Sequence, residues 1–226
     1  MSAAGTRAEH RRTESPSGRK RRAILDAAER VFLRAGFLGT NMDQVAAEAG
    51  VAKQTLYAHF GSKEALFLTL VSAMTDRASD DVQGQTGNLE PDVTAEQVLL
   101  DYADRQLAVV LTTRLLQLRR LVIGEVERFP DLARALYEAG PARAITALAQ
   151  IIEGLSERRE ISVPDAREAA TQFNWLVMGG PLNEAMLLGV EAIPTDTERR
   201  AHAQRSVQLF LSAYRLESDS ASIPQT

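Results

Sequence analysis

The chain is predicted to be all-α: a small N-terminal helical unit followed by a larger helical bundle, about nine helices in 226 residues. Three observations predict this. The composition is rich in Ala, Leu, Arg and Glu but only 5% aromatic, and these residues lose little side-chain freedom in a helix. Apolar residues recur at three- and four-residue spacing along most of the chain, and no stretch shows the alternation of a strand. Capping patterns begin several of these stretches, and glycines end others.

Residues 1–17 are polar, basic and without period, and are expected to form a disordered arm. A first helix is expected from Gly18 to Ala35, with Ile24, Ala27, Ala28, Val31 and Ala35 on one face and Gly36 as its stop. Asn41 and Gln44 form a capping-box pattern that opens a second helix, ended by Gly50. A third runs from Lys53 to Phe60 and is closed by Gly61. Ser62 then caps a fourth through Ala65, Leu66, Leu70, Val71 and Met74. Residues 84–93 are a loop by composition. Thr94 and Gln97 open a helix to about Thr112. Residues 114–128 are dense in Leu, Val and Ile and predict a helix buried on most sides. Pro130 and Pro141 punctuate the segment after it. Ala144, Leu148, Ile151, Ile152 and Leu155 mark the next helix. Another runs from Pro164 through Phe173, Leu176 and Val177 into Gly179-Gly180-Pro181, either as one kinked helix or as two abutting ones. Thr195 and Glu198 cap the last helix, and a loose tail begins at residue 217. The expected domains are therefore 18–63 and 64–216, flanked by the arm and a tail of 217–226.

Charge and composition narrow the function classes. Residues 1–63 carry 11 Lys and Arg against 6 Asp and Glu, a balance of +5, whereas the whole chain carries −4. A basic N-terminal unit on an acidic body suggests a polyanionic partner. With no cysteine, disulfides, Cys-ligated zinc and thiol nucleophiles are excluded. His10, His59 and His202 have no ligand spacing, so no metal and no cofactor are expected. Nucleophile-elbow, phosphate-loop and zinc-protease motifs are lacking, so no enzyme is expected either. No run approaches the roughly 18 apolar residues of a membrane span, and the N-terminus lacks the apolar core of a secretory signal. A cytoplasmic protein is expected.

Residues 41–63, NMDQVAAEAGVAKQTLYAHFGSK, carry the sharpest signal. Two short helices joined at Gly50 form a helix-turn-helix pattern, which places its second helix in the DNA major groove. Ala46 is small enough to let the helices approach. Val45, Val51, Leu56 and Phe60 can form the core beneath. Leu56 and Phe60 are four apart and face inward, leaving Lys53, Gln54, Thr55, Tyr57 and His59 on the other sides. Gln54 suits an adenine edge, and Thr55 a phosphate or a thymine methyl. Tyr57, His59 and Lys63 suit phosphate oxygens.

GTNMDQVAAEAGVAKQTLYAHFGSKEALF resembles the DNA-binding domain of TetR/AcrR-type transcriptional regulators, from about Gly18 to Met74. The resemblance implies DNA contacts from Thr40, Lys53, Gln54, Thr55, Tyr57, His59 and Lys63. Asn41 stands where Ser or Thr is usual and should cap equally well. Ala52 replaces a frequent Ser, which loses one phosphate contact. LRRLVIGEVERFPDLARALYEAGPARA is similar to the C-terminal domain of the AefR-like branch. Together they imply a TetR-like homodimer, its last two long helices forming a four-helix interface, and a cavity for a small, often apolar effector. The last helix offers Val207, Phe210, Leu211 and Tyr214 as a stripe for a partner subunit, although packing within one subunit would satisfy it too. Leu118, Arg119, Val122, Tyr137, Phe173, Trp175, Met178 and Met186 are candidates for the cavity wall. Arg119 is either a counter-charge for the effector or one half of an ion pair with Glu125 or Glu127. The expected function is a ligand-responsive regulator, most simply a repressor released from a palindromic double-stranded DNA operator. The alternative is a helical ligand-binding or adaptor protein without specific DNA binding.

Overall fold

The computed structural model describes residues 15–84 and 92–214. The expected arm up to residue 14, the loop at 85–91, His10 and the tail from 217 lie outside the described residues. The chain divides into two compact units, one through Leu70 and one from Val71.

The first unit is built from α1 (Pro16–Gly39), α2 (Met42–Ala49), α3 (Lys53–Phe60) and the start of α4 (Lys63–Gln83). α1 begins two residues before the predicted start. Ser15 Oγ accepts from the Gly18 N–H at 3.1 Å, and Pro16 fits the first turn because its missing N–H would have had no helical partner. Gly36 has φ +74° and breaks the helix where predicted; a side chain there would be strained. Asn41 Oδ1 caps α2 through the Asp43 N–H at 2.8 Å. Gln44 does not complete the predicted box: its amide turns along the helix to Glu48, 3.4 Å away. α4 opens as expected, with Ser62 Oγ accepting from the Ala65 N–H at 3.1 Å. The core combines Ile24, Val31, Leu56 and Leu66 with three phenylalanines. Phe67 lies 4.7 Å from Phe32 and 5.3 Å from Phe37 between ring centres, within the range of favourable aromatic pairs.

The second unit continues α4 and adds α5 (Ala95–Val110), α6 (Thr113–Gly124), α7 (Pro130–Tyr137), a π turn (Glu138–Ala142), α8 (Arg143–Glu157), α9 (Ala166–Leu188) and α10 (Asp196–Ala213). The capping boxes predicted at Thr94–Gln97 and Thr195–Glu198 are both present. α6 stops at Gly124, short of the predicted 128, and Ile123 and Val126 are exposed. Its burial is one-sided rather than all-round, through Leu116, Leu118 and Val122. Pro141 sits in the π turn, where the widened ladder accommodates it.

α9 settles the choice left open at Gly179-Gly180-Pro181. It is one helix of 23 residues. Proline at 181 has no N–H for the carbonyl four residues back. That carbonyl belongs to Val177, and His202 Nε2 of α10 donates to it at 2.8 Å. Tertiary structure thus supplies the bond that the helix lacks.

The core of this unit joins α5, α8, α9 and α10, with Leu99, Tyr102, Leu148, Ile152, Phe173, Val207 and Phe210 fully or nearly buried. The last-helix stripe must be corrected accordingly. Val207 and Phe210 are covered within the subunit, Phe210 packing edge-on to Phe173 at 4.9 Å, and Leu211 and Tyr214 pack against the same core. Val207 and Phe210 are therefore not free to face a partner, whereas Leu211 and Tyr214 are only partly covered. Among the described residues, no helix is long and apolar enough to cross a membrane.

Candidate nucleic-acid interface and ligand cavity

The helix-turn-helix corner is closed by the backbone. Gly50 adopts φ +65°, ψ +33°, a left-handed conformation that costs an L-residue roughly 1–2 kcal/mol. The Val51 N–H donates to the Ala46 carbonyl at 3.0 Å, and Ala46 itself is buried. Lys53 of α3 pairs with Asp43 of α2 at 2.7 Å, and this bond holds the Lys53 ammonium above the usual lysine range. Arg34 of α1 meets Glu48 of α2 at 2.6 Å, with Arg30 at 3.6 Å. The Arg34 bond holds the Glu48 carboxyl below the usual carboxylate range.

This scaffold turns α3 so that Leu56 and Phe60 are buried while Lys53, Gln54 and Tyr57 are exposed, with Thr55 and His59 half-buried. Ala52 has the extended backbone of an N-cap but no side chain to act as one. The first N–H groups of α3 therefore lack a side-chain acceptor, and such groups suit a phosphate.

Thr40 and Lys63 are placed differently from the expectation. The Thr40 side chain is buried, and its hydroxyl donates to the Gly36 carbonyl at 2.7 Å. Lys63 Nζ donates to the carbonyls of Phe37 at 2.9 Å and Thr40 at 3.2 Å, and lies 4.7 Å from the Phe37 ring centre. Both close the turn after α1 rather than stand ready for DNA. A basic run joins the candidates in their place. Arg19, Lys20, Arg21 and Arg22 are exposed in the first turns of α1, and Arg21 lies over the Phe60 ring at 5.8 Å. Their charge is visible in the sequence, but the place of Arg21 beside α3 is a product of the fold.

The second unit holds a cavity of about 90 Å³ walled mainly by α4, α5, α6, the π turn and α9, with Leu136 of α7 and Ala144 of α8 completing it. Thr75, Ser79 and Val82 give it one wall from successive turns of α4. Ser79 Oγ donates to the Ala139 carbonyl at 2.6 Å, anchoring the π turn. A Cβ on Gly140 would sit 3.3 Å from the Thr75 methyl, so this turn approaches α4 as closely as glycine allows.

Of the eight predicted wall residues, Leu118, Arg119, Trp175 and Met178 line this cavity. The other four do not. Phe173 faces the opposite side of α9, in the main core, and Met186 packs against that core. Val122 is fully buried outside the wall, and Tyr137 is exposed on the surface. The helical period explains the division. Asn174, Met178 and Leu182 share one face of α9, whereas Phe173 and Val177 share another. Gln106 and Asn174 were missed, although a polar residue on an otherwise apolar helical face was a usable signal. Gln106 Nε2 donates to Asn174 Oδ1 at 2.8 Å, and both residues are buried.

A helix-turn-helix unit joined to a helical unit with its own cavity defines a DNA-binding regulator of the one-component kind, sensor and reading head on one chain. Residues 24–70 match the model of the tetR family of bacterial regulatory proteins. Residues 97–216 match that of the AefR-like transcriptional repressor C-terminal domain. The chain belongs to the TetR family of transcriptional regulators, with an N-terminal DNA-binding and a C-terminal ligand-binding domain. A solved TetR-family structure from Mesorhizobium loti MAFF303099 is 36% identical and superposes with a TM-score of 0.84, covering 90% of this chain and 100% of that one. The flavonoid-responsive regulator FrrA is 35% identical with a TM-score of 0.73, over 89% and 100%. The transcriptional repressor BepR of Brucella suis biovar 1 (strain 1330) is 27% identical over 182 residues, 77% of this chain and 84% of that protein.

Proposed function

We propose that this protein is a homodimeric repressor that holds a palindromic operator and releases it when a small, mostly apolar effector fills the cavity. One observation carries the coupling. α4 supplies Leu66 and Phe67 to the core of the DNA-binding unit and Thr75, Ser79 and Val82 to the cavity wall. A ligand that favours one arrangement of that wall therefore acts on a helix that the reading head also uses. It shifts the DNA-competent population only by its differential affinity for the two states. The repressor names of BepR and of the C-terminal family support the sign, and the name of FrrA supports control by a ligand.

On the DNA side, Gln54 reads a base edge, and Tyr57, with Lys53, Thr55 and His59 around it, holds phosphates. The basic run of α1 adds sequence-independent attraction. The dimer forms through α9 and α10, as the family resemblance implies, but through faces that the subunit leaves exposed. On α9 these are Leu176, Gly180, Asn183 and Leu187; on α10 they are Arg205, Leu209 and Ser212. Two-fold symmetry then sets half-sites about 34 Å apart or at a multiple of that spacing. A chain that reads an operator implies a cytoplasmic site of action.

Selection of bound DNA from a random pool tests the reading. A palindrome is expected, and pools without two-fold symmetry would overturn the dimeric part. Tyr57→Phe is expected to weaken operator and random DNA alike. Gln54→Ala is expected to lose about 1–3 kcal/mol of discrimination at one half-site position.

A further inference from the structure

Two residues that line the cavity carry a polar group that the protein leaves unanswered. Gln106 is 3% exposed, and its Oε1 has no hydrogen-bond partner among the described residues. Turning over both amides of the Gln106–Asn174 pair preserves their bond and replaces the unanswered oxygen with an unanswered N–H. The pair therefore offers one buried polar atom in either arrangement. Buried polar groups are rarely left so.

The second group is a charge. Arg119 lines the same cavity, half-buried, with no ion pair or hydrogen bond among the described residues. The predicted structural partners are not its partners: Glu125 pairs with Arg128 at 3.9 Å, and Glu127 is exposed. The adjacent Arg120 shows what a structural arginine does here, donating to the Ala185 and Met186 carbonyls of α9. Burial holds the Arg119 guanidinium below the usual arginine value, the direction expected of a cation without a counter-ion. None of the residues lining the cavity is acidic.

We propose that this cavity binds a compact hydroxylated organic acid, its carboxylate on Arg119, its carbon skeleton against Leu118, Met178 and Leu182, and its hydroxyl on the Gln106–Asn174 pair, whose unanswered end turns out from beneath the wall to meet it. The assignment rests on the cavity being the effector site. A guanidinium matches a carboxylate through two parallel hydrogen bonds, and a hydroxyl can donate or accept, so it satisfies either arrangement of the amides. The cavity volume of about 90 Å³ is several times what one water needs, which suits a compact acid.

Trp175 is the chain's only tryptophan and lines the cavity while about half of it is exposed, so its emission is expected to change on occupancy. The full-length protein is titrated with cyclohexanecarboxylate, 4-hydroxycyclohexanecarboxylate and the two matching carboxamides, none of which absorbs where tryptophan does. Each acid is expected to bind about tenfold to a hundredfold more tightly than its amide. Arg119→Gln is expected to abolish that preference, and Gln106→Leu to abolish the advantage of the hydroxy acid over the plain acid. Arg119→Gln is also expected to raise the melting temperature of the ligand-free protein, because it removes an unanswered charge, whereas loss of a structural arginine would lower it. Amides that match their acids, a preference that survives Arg119→Gln, or no binding by either acid overturns the proposal. The regulator reading is judged separately, by retention of operator DNA. Amides that bind as well as the acids and release DNA sink only the acid assignment. Acids that bind as expected to a protein that never retains DNA sink only the regulator.

Discussion

In the DNA-binding unit, Lys63 donates to the carbonyls of Phe37 and Thr40, Thr40 donates to Gly36, and Glu48 is held by Arg34 and Arg30. In the larger unit, Arg119 and one end of Gln106 find nothing comparable among the described residues. The contrast separates two ways of building a site. A surface that meets DNA needs a scaffold that is complete before the DNA arrives, so many of its polar groups are satisfied internally, and the proposed contacts centre on side chains left outside, Gln54 and Tyr57 first among them. A cavity that senses a ligand needs an incomplete interior, because a group already answered by the protein gives a ligand no energy to collect. Stability and sensing compete in the second unit more than in the first.

Three substitutions probe that division, from the largest effect downward. Leu56 is fully buried beneath α3, and Leu56→Ala should cost about 2–5 kcal/mol. Helix content measured by circular dichroism should then melt earlier, while Trp175 emission, which reports the second unit, should keep its midpoint. Coincident shifts in both signals would show that the two units unfold together and would break the comparison. His202→Ala leaves the Val177 carbonyl without a donor beside Pro181, at about 1–3 kcal/mol for an unsatisfied buried acceptor. Here the Trp175 signal should move. Pairing His202→Ala with Pro181→Ala, which restores an N–H, should recover much of the loss; failure to recover would mean that His202 acts by packing alone. Gly50→Ala should cost roughly 1–2 kcal/mol through the left-handed backbone and weaken DNA binding without changing which bases are preferred. A changed preference would show that the corner does more than hold α3.

The reading head was largely legible because its signals are local. Gly36, Gly50 and Gly61 each stand at a positive φ, where the chain must turn and a side chain would be strained. The i, i+4 pair Leu56 and Phe60 fixes which side of α3 is outside. What sequence could not supply there was whether a cation is free. Lys63 and Lys53 look alike as letters, yet one closes a turn across 26 residues and the other bridges two helices to Asp43. In the larger unit the helices and both capping boxes were legible, because a cap needs only three residues. The cavity was not. Its wall draws on seven elements, and each contributes the face that its own packing leaves over. Phe173 and Asn174 are neighbours in sequence and lie on opposite sides of that division. The last-helix stripe was ambiguous for a related reason: an apolar face demands a partner but does not say whether the partner is the same subunit, and Val207 and Phe210 find theirs within it.

The smallest expected effect tests the completeness of the head most finely. Ala52 holds the extended backbone of an N-cap, φ −66° and ψ +144°, without a side chain that can accept a hydrogen bond. A serine at this position could use its Oγ for a first-turn N–H of α3 with no backbone change. Ala52→Ser should therefore raise stability by about 0.5–2 kcal/mol. Its hydroxyl proton would still be free to donate to a phosphate, so operator and random DNA should both bind a few-fold more tightly. The salt slope should stay the same, since no charge is added. Stability that rises while DNA affinity falls would mean that those N–H groups had been holding a phosphate that the new oxygen displaces. The start of α3 would then be the one place in the reading head where, as in the cavity, an unanswered group is kept for its ligand.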